Sequence, residues 1–209
     1  MLQSRERLVL GSSSATRRRV LATALDSESE FEVVKGNVDE HALGDRNKPR
    51  ELVQLLARTK AHDVLARLSS EGVTNALILA SDQVVLTDDG DTLEKPQDER
   101  SARLRMRRFA GSTVYTLGAI CAFDVLTNAE ATATDLATVR FNDYGIDNES
   151  IEQLIAEGDV MHSAGALTVE HELVWPHVTL IECTLDSVLG LGIGALERAV
   201  EGAIGETHA

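Results

Sequence analysis

The sequence has little of what usually identifies a function class directly. Its 209 residues include only two cysteines, and Cys121 and Cys183 have neither zinc-site spacing nor a secretory context. Both are predicted to be reduced and to lie in the core. Aromatic residues make up 3% of the chain, and no run approaches the roughly 18 apolar residues that a membrane span requires. The sequence therefore predicts no disulfide framework, no zinc site and no membrane span.

Positive charge is also scarce. The 20 lysine and arginine residues are outnumbered by 34 aspartate and glutamate residues, which gives a formal net charge of -14. So acidic a chain is not expected to bind nucleic acid, because that surface needs many cations to neutralise phosphates. A local basic cluster here suits a small polyanion better than a long one. Since the N-terminus also lacks a long apolar leader segment, the sequence predicts a cytoplasmic protein, with an organellar address at either end as the alternative.

Strand-like and helix-like segments alternate along the chain. Strands are predicted at residues 8–10, 31–34, 76–86, 114–123, 133–141, 166–169 and 177–183. Helices are predicted after residue 14, over 49–68, 99–109 and 148–157, and in a last segment that ends near residue 200. This order indicates an α/β fold with a mixed sheet. With 43% hydrophobic residues the chain can bury one good core, so residues 1–209 are predicted to form one domain with two lobes around a cleft.

The first predicted strand runs into a segment suited to binding an anion. Gly11 and three serines follow the strand, and three consecutive arginines, residues 17–19, open a helix. Backbone N–H groups, hydroxyls and guanidinium groups thus occur at one place, and they suit phosphate best. In the alternative interpretation, Ser14 only caps the helix and the arginines are solvated. Arginines at a helix N-terminus oppose its dipole, which favours a functional role.

Three polar features interrupt the predicted core. Asp82 lies in the most apolar strand, where a carboxylate is costly unless it meets a cation, a metal ion or a water molecule to activate. Lys60 lies on the inward stripe of its helix, and Glu94-Lys95 follow the turn after the Asp82 strand. Each has a structural alternative: a satisfied acid at a strand end, a lysine that snorkels to the edge, and a lysine in an ordinary turn. With the arginines and Asp39-Glu40 they match the inventory of a metal-assisted phosphate-transfer site.

Eight short motifs follow one another in the order Gly11-Ser12-x-Ser14-x-x-Arg17-Arg18, Val38-Asp39-Glu40, Leu56-Ala57-x-x-Lys60-Ala61, Ser81-Asp82-Gln83-Val84-Val85, Glu94-Lys95-Pro96, Ala110-Gly111, Ala164-Gly165 and Val188-Leu189-Gly190-Leu191. Together they closely resemble the Maf family of nucleotide pyrophosphatases over nearly the whole chain. The resemblance implies a two-lobed α/β fold akin to the inosine-triphosphate pyrophosphatases, with a central cleft, in proteins that are often homodimers. It also implies cleavage of nucleoside triphosphates to monophosphate and pyrophosphate with a divalent metal cation such as Mg²⁺, Mn²⁺ or Co²⁺.

The resemblance further implies roles for individual residues. Asp82 matches the catalytic group that accepts a proton from the attacking water, and Glu40 matches an acidic residue that holds metal with it. The positions that match phosphate-binding residues are Ser12, Arg17, Lys60 and Lys95. This assignment agrees with the physical interpretation, because phosphoryl transfer is helped chiefly by positioning and by neutralising the oxygens.

Three further positions match those with which the family selects a base: Thr16, Gln83 and Glu170. Gln83 and Glu170 agree with the 7-methyl-GTP-type branch, whereas Thr16 agrees with neither that branch nor the dTTP/UTP-type branch. A carboxylate at Glu170 could pair with the cationic ring of 7-methylguanine. The sequence therefore favours a 7-methyl-GTP-like substrate, with UTP or dTTP as the alternative.

Two other functions fit the same scaffold. A nucleotide-binding regulatory protein of cell division or septum formation would bind the ligand without turnover. A phosphate-binding module without base selectivity would not need Gln83 or Glu170. The presence of Asp82 with Glu40 and the two lysines favours turnover, because a binding protein has no need of a base aligned with lysines.

Overall fold

The computed structural model describes residues 5–25, 31–181 and 183–205. Its strands are β1 (Arg7–Leu10), β2 (Glu32–Val33), β3 (Ala76–Thr87), β4 (Thr92–Leu93), β5 (Thr113–Asp124), β6 (Ala129–Phe141) and β7 (Val178–Ile181). Its α-helices are α1 (Ala15–Ala24), α2 (Pro49–Ser70), α3 (Glu99–Arg108), α4 (Asn148–Glu157), α5 (Leu185–Val188) and α6 (Ile193–Ile204). Short 3₁₀ turns cover Glu40–Ala42, Asp159–His162, Ala164–Ala166 and Trp175–His177.

Within these residues, the seven strands form one mixed sheet. Its order is β2-β1-β3-β5-β6-β7, and the short β4 pairs with β3 outside this path. Strand β1 is parallel to β2 and to β3, with Leu10 opposite Leu79. The pairs β3–β4 and β6–β7 are antiparallel. The predicted α/β fold with a mixed sheet and flanking helices is confirmed.

The chain divides into two compact units, each built from segments that are separated in the sequence. Unit 1 comprises Met1–Asp82, Gly118–Asp135 and Gly190–Ala209. Unit 2 comprises Gln83–Leu117 and Leu136–Leu189. Because β3, β5 and β6 pass from one unit to the other, each unit contains only part of these strands. The predicted arrangement of one domain with two lobes around a cleft stays a prediction.

Each unit has its own apolar core. In unit 1, leucines of β1 and β3, among them Leu10 and Leu79, are buried in one cluster with Leu196 of α6. In unit 2, the rings of Phe109 and Phe141 stack with their centroids 5.1 Å apart inside a second cluster. Each unit therefore buries apolar side chains of its own, and the strand halves within it lie against that core.

Short polar side chains determine where several helices begin. Asp98 and Asp147 accept hydrogen bonds from the backbone N–H groups of Ser101 and Ser150, at 2.7 and 3.0 Å. These bonds satisfy N–H groups that have no partner inside the helix, and so they fix the starts of α3 and α4. Helix α2 begins at Pro49, where the missing N–H costs nothing.

The strand predicted over residues 166–169 is wrong. The structure has a 3₁₀ turn at Ala164–Ala166, and residues 167–170 continue as a loop and a turn. Gly165 and Ala166 have φ angles of 65° and 60°, which a regular strand does not contain. A Cβ atom on Gly165 would lie 2.9 Å from Val85, so this backbone packs tightly against β3. The apolar run is buried as a loop, and periodicity alone does not distinguish that from a buried strand.

The two cysteines differ in their surroundings. Both are free thiols, as predicted, but only Cys121 is fully buried, whereas Cys183 is half-buried. Burial raises the pKa of the Cys121 thiol to about 12, so this group is protonated at neutral pH. Among the described residues, no helix has both the length and the apolar character needed to cross a membrane.

Candidate active site

The loop between β1 and α1 is organised by its serines. The Oγ atom of Ser14 accepts a hydrogen bond from the backbone N–H of Arg17 at 3.3 Å and caps α1. The Oγ atom of Ser12 accepts one from the backbone N–H of Ser14 at 3.2 Å, and Ser12 is buried. Ser14 therefore caps α1, as the structural alternative predicted, and this cap fixes the direction in which α1 leaves the loop.

Of the three arginines that follow, only Arg17 turns inward, whereas Arg18 and Arg19 are exposed. The Nη1 atom of Arg17 donates to the backbone carbonyl oxygen of Ser81 at 2.8 Å, next to Asp82 in the chain. Burial lowers the pKa of the Arg17 guanidinium from its usual value, and the Asp82 and Glu40 carboxylates oppose this change. Because arginine starts from so high a pKa, the group stays charged. The solvated-arginine alternative is thus wrong for Arg17 and correct for the other two.

A cluster of three charged side chains lies in unit 1. Lys60 comes from α2, Asp82 from β3 and Glu40 from the 3₁₀ turn that follows β2. The Nζ atom of Lys60 lies 2.5 Å from Oδ1 of Asp82 and 2.9 Å from Oε1 of Glu40. The Lys60 and Asp82 side chains are only 13% and 8% exposed. Lys60 faces inward, as its helical spacing predicted, and its amine joins two carboxylates instead of snorkelling to solvent.

The pKa of the Asp82 carboxyl group is raised within this cluster. Burial raises the pKa of its carboxyl group above the ordinary aspartate value, while Lys60 and then Arg17 lower it and Glu40 raises it. A buried carboxylate is costly unless cations compensate it, and here two cations lie close to it. A carboxylate with a raised pKa accepts a proton more readily than an exposed aspartate does. Asp82 therefore has the properties of a general base.

The carboxylates of Glu40 and Asp82 are also candidate metal ligands. Both contact the same Lys60 nitrogen, so they face a common position. Their oxygen atoms are the donors that Mg²⁺ prefers, and this ion often takes one or two carboxylates together with substrate phosphates. Across residues 5–25, 31–181 and 183–205, no group of three or more His, Cys, Asp or Glu side chains could hold a metal ion. The pair therefore fits a cation that the phosphates help to bind, and not a closed protein site.

The other residues predicted from the family resemblance fall in both units. Thr16 is half-buried in the first turn of α1, in unit 1. Gln83 belongs to unit 2, where its Nε2 atom donates to the carbonyl oxygens of Ser187 and Val188 at 3.2 and 3.0 Å. Both carbonyls belong to α5, so the Gln83 side chain connects β3 to this helix. With its nitrogen engaged in this way, the Gln83 side chain has Oε1 as its acceptor.

Lys95 is exposed and follows β4 in unit 2. The residue before it fixes the backbone at this position: the carbonyl oxygen of Glu94 accepts hydrogen bonds from Gly165 N at 2.9 Å and Arg105 Nη1 at 2.6 Å. Lys95 is therefore a flexible cation on a segment whose backbone is held in place.

Glu170 is exposed in the loop that follows the Ala164–Ala166 turn. Its neighbour His171 holds this loop through both ring nitrogens. Nε2 lies 2.8 Å from Oε2 of Glu157, and Nδ1 accepts a hydrogen bond from the backbone N–H of Leu173 at 3.1 Å. A backbone N–H can only donate, so the contact with Leu173 requires an unprotonated Nδ1.

Six of the residues that the resemblance singled out therefore lie in unit 1: Ser12, Thr16, Arg17, Glu40, Lys60 and Asp82. Sequence reasoning missed two polar side chains that hold the segment around Glu40, namely Asp63 and Arg46. The only signal for Asp63 was its position three residues after Lys60, on the same face of α2.

The chain is similar to a protein family and to several proteins that are each named as a pyrophosphatase. A family model described as Maf-like protein matches residues 7–203. A 7-methyl-GTP pyrophosphatase of Dictyostelium discoideum is 32% identical over 187 residues, which cover 88% of this chain and 90% of that protein. A dTTP/UTP pyrophosphatase of Clostridium perfringens is 29% identical over 195 residues, covering 93% and 96%. A nucleoside triphosphate pyrophosphatase of Streptomyces avermitilis is 32% identical over 197 residues, covering 94% and 90%.

Proposed function

The chain belongs to the Maf-like protein family, and we propose that it hydrolyses a nucleoside triphosphate to nucleoside monophosphate and pyrophosphate. One observation carries the proposal: the buried Asp82 carboxylate is held by the Lys60 amine, which also contacts Glu40. Binding phosphate requires cations but no buried carboxylate with a raised pKa. The names of the similar proteins support the same reaction.

In this mechanism, Asp82 accepts a proton from the water molecule that attacks the triphosphate. The attack breaks the bond between the α-phosphorus and the bridging oxygen, so that pyrophosphate leaves in line with the incoming water. Arg17 and Lys60 stabilise the phosphoryl oxygens as negative charge develops on them, and their contacts with Asp82 and the backbone beside it support this role. Ser12 contributes its hydroxyl and the start of α1 contributes backbone N–H groups, while Lys95 neutralises the far end of the triphosphate.

Glu40 and Asp82 are the residues that would hold a divalent cation, together with the phosphates of the substrate. Such a cation neutralises phosphate charge and makes the attacking water more acidic. Mg²⁺, Mn²⁺ and Co²⁺ are the candidates. We also propose that the protein acts in the cytoplasm and that it forms a homodimer. Light scattering on the purified protein would test the dimer.

For the base, we favour a 7-methyl-GTP-like nucleotide, with UTP or dTTP as the alternative. The Glu170 carboxylate would attract the cationic methylated ring, and Oε1 of Gln83 would accept a hydrogen bond from the base. Thr16 offers no ring on which a base could stack. Because relatives named for the two substrate classes are 32% and 29% identical, the side chains rather than the names carry this choice.

A panel of nucleoside triphosphates that includes 7-methyl-GTP, UTP, dTTP and ATP tests the proposal. Each is incubated with the protein and Mg²⁺, Mn²⁺ or Co²⁺, and released pyrophosphate is measured. We expect pyrophosphate from 7-methyl-GTP at the highest kcat/KM, and none above background from the Asp82→Asn protein. Tight nucleotide binding without release of pyrophosphate from any member would instead support a regulatory binding protein.

A further inference from the structure

The segment that carries Glu40 has almost no regular structure of its own. Residues 34–48 connect β2 to α2 and contain only the 3₁₀ turn at Glu40–Ala42. The side chain of Asp39, at the start of this turn, makes no capping hydrogen bond. A side chain that must meet a partner at hydrogen-bond distance needs support from residues around it. The position of Glu40 beside Lys60 must therefore come from contacts outside the turn.

One such contact comes from α2. Oδ2 of Asp63 accepts a hydrogen bond from the backbone N–H of Asn37 at 2.8 Å. Asp63 follows Lys60 by three positions, so the two side chains leave neighbouring points on one face of the helix. The same rigid helix thus provides the amine that contacts the Glu40 carboxylate and the carboxylate that holds the backbone just before Glu40.

Gly36 shows how closely the segment approaches Asp63. A Cβ atom at this position would lie 3.0 Å from Oδ2 of Asp63. Real contacts of a Cβ atom are rarely so short, so any other residue at position 36 would push the segment away from α2 or displace the Asp63 carboxylate. The glycine therefore permits the hydrogen bond between Asp63 and Asn37.

Arg46 also holds the segment, through hydrogen bonds to its backbone. Its guanidinium donates to the carbonyl oxygens of Glu40 at 3.0 Å, Leu43 at 2.5 Å and Gly44 at 3.4 Å. These bonds keep the turn compact. The hydrogen bond of Asp63 connects the segment to α2, the helix that carries Lys60.

We propose that Asp63 is a positioning residue for the active site. By holding the backbone N–H of Asn37 against α2, it sets the distance between the Glu40 carboxylate and the Lys60 amine. It acts through Glu40 and does not itself touch the substrate. The inference rests on the proposed function, in which Glu40 takes part in binding the metal and the phosphates.

Substitutions of Asp63 give the first test. Asp63→Ala removes the acceptor, and we expect kcat/KM for pyrophosphate release to fall about 10-fold, as for other residues that orient a metal ligand. The Mn²⁺ concentration needed for half-maximal activity should rise. Asp63→Asn keeps an oxygen that can accept from Asn37, and should retain activity within about threefold of wild type. Glu51→Ala is the matched control, since Glu51 is an exposed carboxylate of the same helix that pairs only with Lys48.

A double-mutant cycle separates positioning from general stability. If Asp63 acts through Glu40, then Asp63→Ala should lower kcat/KM in the wild-type background but have no further effect in the Glu40→Gln background. An equal loss in both backgrounds would overturn the inference. A fall in activity caused by Glu40→Gln but not by Asp63→Ala would also overturn it while leaving the proposed function intact. If Glu40→Gln and Asp82→Asn both left pyrophosphate release unchanged, the proposed function and this inference would fail together.

Hydrogen exchange gives a readout that is independent of activity. The amide hydrogen of Asn37 should exchange at least about 10-fold faster in Asp63→Ala than in wild type, because its acceptor is lost. Glu51→Ala should not change it. Gly36→Ala should also accelerate this exchange and lower kcat/KM, and its effect should disappear in the Asp63→Ala background. Unchanged exchange at Asn37 in Asp63→Ala would refute the contact itself.

Discussion

The candidate residues of the two units are held in opposite ways. In unit 1, charged side chains hold one another: the Lys60 amine contacts the Asp82 and Glu40 carboxylates, and Arg17 is bonded to the backbone next to Asp82. In unit 2, the candidate side chains are either bonded to backbone carbonyls, as Gln83 is, or exposed on loops, as Lys95 and Glu170 are.

This contrast suggests a division between chemistry and recognition. A buried ion cluster loses much when one member is removed, because the remaining charges are left without compensation, so substitutions there should be severe and non-additive. Exposed side chains on supported loops can be exchanged at lower cost. We therefore expect substitutions in the ion cluster of Lys60, Asp82 and Glu40 to affect whether the bond is cleaved, and substitutions of Gln83 and Glu170 to affect which nucleotide is preferred.

The largest effect is expected for Asp82. Asp82→Asn keeps the size of the side chain but removes its basicity, so kcat should fall by roughly 10²-fold or more while the nucleotide still binds. Asp124 is the matched control, because it is a buried carboxylate of unit 1 that pairs with Arg5 at 2.6 Å. Asp124→Asn should lower the free energy of unfolding by about 1–3 kcal/mol without a comparable loss of kcat. Near wild-type turnover in Asp82→Asn would remove this residue from the mechanism.

The pH profile should respond oppositely to the two neighbours of Asp82. Activity requires its ionised form, so kcat/KM rises as the pH rises through its pKa. Lys60 lowers that pKa and Glu40 raises it. Lys60→Gln should therefore move the acid limb to higher pH, with a loss of about 10-fold or more in kcat/KM from the missing charge, and Glu40→Gln should move it to lower pH. Shifts in the same direction would show that another group controls this limb.

Metal binding offers a test within unit 1. The Lys60 ammonium lies between the two carboxylates that would hold a cation, so free Mn²⁺ should bind the nucleotide-free protein weakly. Lys60→Ala should bind free Mn²⁺ about 10-fold more tightly, because the competing positive charge is removed. Electron paramagnetic resonance of Mn²⁺ measures this affinity without any turnover. An unchanged affinity would place the cation elsewhere, and Lys48→Ala, which removes an exposed lysine of the same chain, serves as the control for the change in total charge.

Substitutions in unit 2 should change which nucleotide the protein prefers. Gln83→Thr combined with Glu170→Gln should shift the ratio of kcat/KM for 7-methyl-GTP over UTP or dTTP by roughly fivefold toward the pyrimidines, without abolishing cleavage. Glu170→Gln removes the attraction for the cationic ring. Gln83→Thr also removes the hydrogen bonds from Gln83 to the carbonyl oxygens of Ser187 and Val188, so a lower melting temperature should accompany it. If wild type already prefers UTP or dTTP, the branch assignment is wrong and Thr16 becomes the residue to vary.

The smallest effect is expected for Lys95→Ala, whose loss of triphosphate binding is compared with that of Arg17→Ala. Both substitutions to Ala should weaken triphosphate binding more than monophosphate binding. Lys95→Ala should cost only about 2–3-fold, and this loss should shrink with added salt because an exposed charge is screened. Arg17→Ala should cost more and depend less on salt, since its guanidinium is bonded within the fold. An equal loss for both phosphate chain lengths would contradict the placement of these cations at the triphosphate tail.

Much of the fold followed from local patterns. The long helix from Pro49, the buried strand around Asp82 and the inward position of Lys60 all depend on spacing within one element, which the sequence displays directly. The hydrogen bond between Asp63 and Asn37 joins residues 26 positions apart, and the bond from Gln83 to α5 joins residues about 105 positions apart. Neither contact could be predicted from the local sequence. The strand predicted at 166–169 is wrong for the same reason, since a distant contact determines the burial of this segment. Ala166 and Val169 are buried in one cluster with Val85 and do not pair with a strand.

The discontinuity of unit 1 has a consequence for how the protein is made. Ser12, Arg17, Glu40, Lys60 and Asp82 are translated early, but the leucines of β1 and β3 beneath them share a core with α6. A nascent chain that has emerged only as far as residue 189 lacks α6 and therefore exposes that apolar surface. Activity should therefore appear only after α6 has been synthesised.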